Sequence, residues 1–75
     1  MSEGKVVFYD RLKGYGYILP SKGGKKVYVH TKEVKNSGLS FLSEGQELRF
    51  SVRENNGQKF AYKLKILSPP SNISP

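Results

Sequence analysis

The sequence predicts an all-β domain, a small barrel of five short strands. Three observations carry that reading. Short runs of β-branched and aromatic residues recur along the chain, punctuated by Gly, Pro and Asn-Gly turns. No stretch reads as a strong helix. One long irregular stretch, Thr31 to Gly45, separates the third run from the fourth, and its length suggests function.

Lys5 to Asp10 forms the first strand, ended by the polar turn Asp10-Arg11-Leu12-Lys13. Tyr15 to Leu19 forms the second, and Pro20 stops it. Ser21-Lys22-Gly23-Gly24-Lys25-Lys26 is a basic hairpin loop, because paired glycines accept the positive φ such turns need. Val27 to His30 is the third strand, and one helical turn is expected near Lys32 to Lys35. In the fourth strand Leu48, Phe50 and Val52 alternate with Arg49, Ser51 and Arg53, the pattern of a half-buried strand. Asn56-Gly57 turns the chain into the fifth, Phe60 to Leu67. Alternation groups Phe60, Tyr62, Leu64 and Ile66 against Ala61, Lys63 and Lys65. A bulge would reverse part of that grouping. Five strands with a long third connection describe the OB-fold, a five-stranded Greek-key barrel that grips oligonucleotides on its second and third strands.

Residues 1–67 therefore make one domain. The tail 68–75 holds three of the four prolines and no charge, and is expected to be disordered. At 75 residues without cysteine, the domain needs an economical core and has no disulfide to help it. Aromatic residues placed on the surface of so small a domain point to function. In an extended strand alternate side chains share a face, so Tyr15 and Tyr17 point one way while Gly16 and Ile18 point the other. Tyr28 and His30 repeat the pattern over Val27 and Val29. Thirteen Lys and Arg against six Asp and Glu give a net charge of +7, which favours polyanionic partners. Aromatic rings among lysines on a wet face are what single-stranded RNA or DNA binds.

Rival readings are weaker. A phosphate-cradling loop at Gly24-Lys25 lacks the earlier glycine and the following Ser or Thr, and Gly14-Tyr15-Gly16 has Leu19 where a dinucleotide fingerprint needs its third glycine. An RNA-recognition motif opens correctly at Lys13-Gly14-Tyr15-Gly16-Tyr17-Ile18 but fails at Pro20 and lacks its helices. The acids Glu3, Asp10, Glu33, Glu44, Glu47 and Glu54 are scattered singly, so an enzyme such as a small nuclease is disfavoured and no catalytic residue is expected. A barrel that takes proline-rich peptides on its tyrosines is a second alternative, opposed by the charge. One histidine and no cysteine argue against a metal site, and no cofactor or small-molecule substrate is expected. No apolar run approaches a membrane span and Met1-Ser2-Glu3-Gly4-Lys5 lacks a signal core, so a cytoplasmic monomer is expected.

Gly4-Lys5-Val6, Phe8-Tyr9-Asp10, Lys13-Gly14-Tyr15-Gly16-Tyr17-Ile18 with Pro20, Val27-Tyr28-Val29-His30, Leu42, Glu44-Gly45-Gln46 and Phe50 together resemble a cold-shock domain of the bacterial type. The resemblance runs from Gly4 to Leu67. It implies a five-stranded oligonucleotide-binding barrel that acts as an RNA chaperone, with the binding role falling on Lys13, Tyr15, Tyr17, Tyr28 and His30. Phe8 stands where the family has a stacking tryptophan; strict alternation would put it on the side of Val6, so its place on the binding face rests on the resemblance. Three tyrosines replace phenylalanines, keeping the π-face and adding a hydroxyl. Lys26 replaces an aspartate, and Thr31 and Leu39 replace aromatics, which trades stacking surface for charge. Lys59, just ahead of the fifth strand, completes the set of candidate binding residues.

Overall fold

The computed structural model describes residues 2–68. Its five strands are β1 (Ser2–Asp10), β2 (Tyr15–Pro20), β3 (Val27–His30), β4 (Glu47–Asn55) and β5 (Gln58–Ser68), with a single short helix, α1 (Thr31–Asn36), between β3 and β4. They close into a barrel in the order β1-β2-β3-β5-β4, with β4 paired back onto β1. All pairings are antiparallel except that of β3 with β5, where Tyr28 lies opposite Phe60. The OB-type architecture expected from the strand pattern is thus present. The tail beyond Ser68 lies outside the described residues.

Period-2 alternation places the core as expected in the first three strands. Val6, Ile18, Val27 and Val29 are buried, together with Leu48 and Phe50 of β4. Val34 of α1 and Leu42 of the following loop join the same cluster, so the irregular stretch also caps the barrel interior. The helix begins at His30, whose Nδ1 accepts the Lys32 N–H at 3.1 Å.

Three register shifts interrupt simple alternation, one of them at the end of β5 where Leu67 is extra, and the other two shape the exposed face. In β1, Val6 pairs with Ile18 but Phe8 pairs with Tyr17, so Val7 is an extra residue. The strand inverts there: Val6 stays buried and Phe8 turns outward, 38% exposed. In β5, Lys65 faces Arg49 and Tyr62 faces Ser51, which leaves Lys63 and Leu64 opposite Phe50. Lys63 takes a left-handed φ of 53° to make this bend. Ala61 and Leu64 are therefore both buried, whereas Phe60 and Tyr62 leave the side of Leu64. The single face expected for Phe60, Tyr62, Leu64 and Ile66 is corrected accordingly. Val52 is a second correction, since it is 37% exposed. Strand β1 covers β4 only from Glu47 to Phe50, so the hairpin beyond Phe50 has no third strand to bury it.

The β5 bulge gives a stability prediction. A β-branched side chain tolerates left-handed backbone poorly, so Lys63→Ile should lower stability by roughly 1–2 kcal/mol, with Lys63→Asn close to neutral. Urea unfolding of the two variants checks it. Equal midpoints would mean that Lys63 is not the bulge residue.

Candidate nucleic-acid interface

The wet face is built by register. Tyr17 pairs directly with Tyr28 across β2 and β3, and Tyr15 pairs with His30. Cross-strand neighbours on one face of an antiparallel pair stand close enough for rings to touch. Tyr15 and Tyr28, on the diagonal, stack with centroids 5.8 Å apart and planes 17° from parallel. Tyr17 meets both edge-on, at 6.0 Å and 5.8 Å. The β1 bulge brings Phe8 within 5.7 Å of Tyr15. His30 lies 6.5 Å from Tyr28. Phe8, Tyr15, Tyr17, Tyr28 and His30 thus form one continuous cluster over three strands.

Glycine makes this close arrangement of strands feasible. Gly16 is buried opposite Tyr9, whose ring lies 2.7 Å from where a Cβ on Gly16 would stand. Gly14 adopts a φ of 77°, and its carbonyl accepts the Thr31 N–H at 2.8 Å. The β1–β2 turn is further fixed by the Asp10 carboxylate, whose Oδ1 accepts the N–H groups of Leu12 at 2.9 Å and Lys13 at 3.0 Å. Lys13 therefore leaves a rigid turn into solvent.

The remaining residues expected at the site are placed differently. Lys26 is exposed immediately ahead of β3. Thr31 opens α1, half-buried, with its methyl group against Gly14. Leu39 packs against the core and stands outside the ring cluster. Lys59 sits with Lys22 and Lys25 on a neighbouring cleft of about 430 Å³ that also contains Val27 and Val52. The ion pair recorded among the described residues, Arg49 with Glu3 at 2.9 Å, joins β4 to β1 and leaves these lysines unpaired. Being exposed, that pair adds at most about 1 kcal/mol of stability.

His30 is tied to the start of α1 by a contact that its place in the sequence did not announce. With Nδ1 accepting the Lys32 N–H, Nε2 is the ring nitrogen left for a further hydrogen bond. Two further aromatics escaped sequence reasoning. Phe60 packs edge-on against Tyr28 at 5.4 Å, extending the cluster onto a fourth strand. Its signal was the parallel alternation in the fifth strand, which could not be read without knowing where the bulge falls. Phe41 is 41% exposed on the loop after α1, with the Arg11 guanidinium 4.3 Å above its ring. That contact ties the Lys13 turn to the long loop, and nothing in the spacing of Arg11 and Phe41 announced it.

Among the described residues no group of His, Asp and Glu could hold a metal ion, and no helix is long and apolar enough to cross a membrane. The 'Cold-shock' DNA-binding domain family matches the chain over residues 2–67. Cold shock-like protein CspA of Rickettsia typhi is 38% identical over 63 residues, which cover 84% of this chain and 90% of that protein. CspA of Rickettsia bellii is 40% identical over the same shares. Cold shock-like protein CspC of Buchnera aphidicola is 35% identical over 66 residues, covering 88% of this chain and 93% of its relative.

Proposed function

The chain belongs to the cold-shock domain family, a family of nucleic-acid-binding domains, and on that premise we propose that it holds RNA or DNA single-stranded and acts as a non-enzymatic RNA chaperone. The observation that carries this reading is the unbroken set of rings from Phe8 to Phe60 on the solvent side of four adjacent strands. Lysines draw in the phosphate chain, and bases released from pairing stack on the rings. Each stack contributes ~1–3 kcal/mol, so three or four compete with the pairing of a weak hairpin without any energy source. The protein works as a cytoplasmic monomer, with Phe8, Lys13, Tyr15, Tyr17, Tyr28 and His30 at the centre of the site. Lys26, Thr31, Leu39 and Lys59 border it.

Tyrosine-fluorescence titration with a short oligonucleotide tests the proposal. A site contacting about four to six phosphates should show a log–log salt slope of roughly −3 to −4 for single strands. Duplex of the same sequence should bind far more weakly, because its bases are not free to stack. Labelled RNA should keep its length throughout. Equal affinity for duplex and single strand would reduce the binding to charge attraction, and a shortened strand would indicate a nuclease.

A further inference from the structure

Beside the ring cluster lies a cleft of about 430 Å³ between α1, β3, β4 and β5. Its walls are the rings of Tyr28, Phe60 and Tyr62, and its polar groups come from His30, Glu33, Arg53 and Asn55. The Arg53 guanidinium is held over the Tyr62 ring at 4.5 Å, which fixes a side chain that would otherwise be mobile. Glu33, in the first turn of α1, is half-buried, and among the described residues its carboxylate accepts no hydrogen bond and joins no ion pair. An acceptor-only group and a donor-only group thus enter one aromatic-walled space from different elements without satisfying each other.

We propose that this cleft takes a single guanine base from the strand bound on the neighbouring rings, making guanine the preferred base at that position. The proposal rests on the single-strand reading of the ring cluster. Aromatic walls accept any base, so the choice among bases falls to the polar groups. A carboxylate needs donors, and guanine alone presents two adjacent ones, N1–H and the 2-amino group. The guanidinium needs acceptors, and guanine offers O6 and N7 side by side. Adenine turns an acceptor, N1, toward the carboxylate. Uracil presents one N–H between two carbonyls. Cytosine and adenine each offer the carboxylate a single amino group, so guanine alone gives Glu33 two adjacent donors while giving Arg53 two acceptors.

The test uses oligo-uridine strands carrying one central guanosine, inosine or adenosine, titrated against the whole protein. Inosine lacks only the 2-amino group, so its comparison with guanosine isolates one hydrogen bond to the carboxylate. Wild type should bind the guanosine strand about tenfold tighter than the adenosine strand, with inosine between them. In Glu33→Gln the ratio of guanosine to inosine affinity should fall toward one, since a neutral amide is a weaker acceptor than a carboxylate. Arg53→Lys, which keeps the charge but not the planar fork, should reduce the guanosine advantage over adenosine. Equal guanosine and inosine affinities in wild type, or an unchanged ratio in Glu33→Gln, overturns the proposal. Binding of plain oligo-uridine by wild type separates the two readings: its loss removes the ring-cluster function, whereas the guanosine ratios judge the cleft by themselves.

Discussion

Gly16→Ala is expected to lower the stability of the domain by about 3 kcal/mol, at the upper end of what overpacking costs. A methyl group at Gly16 would press into the carbonyl oxygen of Phe8 and stand 2.7 Å from Cδ1 and 3.0 Å from Cα of Tyr9. Two of those atoms are backbone, so no rotamer change relieves the contact, and β1 must move off β2. A small domain with one core has little stability to lose. The same movement would carry Phe8 away from Tyr15, so affinity for single strands should fall even under conditions where the variant remains folded. Urea unfolding and titration at low temperature read the two effects separately. A variant with wild-type midpoint would contradict the close β1–β2 approach that places Phe8 on the face.

Tyr28→Ala is expected to weaken binding to a short single strand by ~1–3 kcal/mol, about five- to 150-fold. Tyr28 is the hub of the cluster, touching Tyr15, Tyr17, His30 and Phe60. Its removal deletes one platform and unpins the rings around it. The side chain is half-buried, so some stability is lost as well, and Tyr28→Phe serves to separate the effects because it keeps the ring and its contacts. That conservative variant should bind nearly as wild type. Leu12→Ala is the matching control for a residue that touches nothing, since Leu12 is 99% exposed, and it should change neither quantity. Wild-type affinity in Tyr28→Ala would show that bases do not stack on this face.

Much of the site was legible because alternation is a local property. Tyr15 and Tyr17 share a face with each other, as do Tyr28 and His30, and the valines beneath the second pair identify the wet side without reference to the rest of the chain. The glycine pairs behaved the same way: Gly23 and Gly24 both take positive φ, and Asn56-Gly57 turns with φ of 53° and 79°. Motif order then supplied the family. What alternation could not supply was Phe8 or Phe60. Phe8 directly follows a bulge and Phe60 precedes one by three residues, and nothing in Val6-Val7-Phe8 or Tyr62-Lys63-Leu64 marks which residue is the extra one.

The sequence by itself determined the strand number, the core of the first three strands and the tyrosine face, because side-chain direction in a strand follows from the backbone's own period of two. Only the tertiary structure decided the extent of that face. Closing five strands into a barrel requires the longer ones to bend, and a bulge is how a strand bends while keeping its partners. Where β1 bends depends on β2, and where β5 bends depends on β4, so Phe8 and Phe60 join the rings through pairings made with distant parts of the chain. The cleft holding Glu33 and Arg53 has the same origin: its walls come from α1, β3, β4 and β5, which meet only once the barrel has closed.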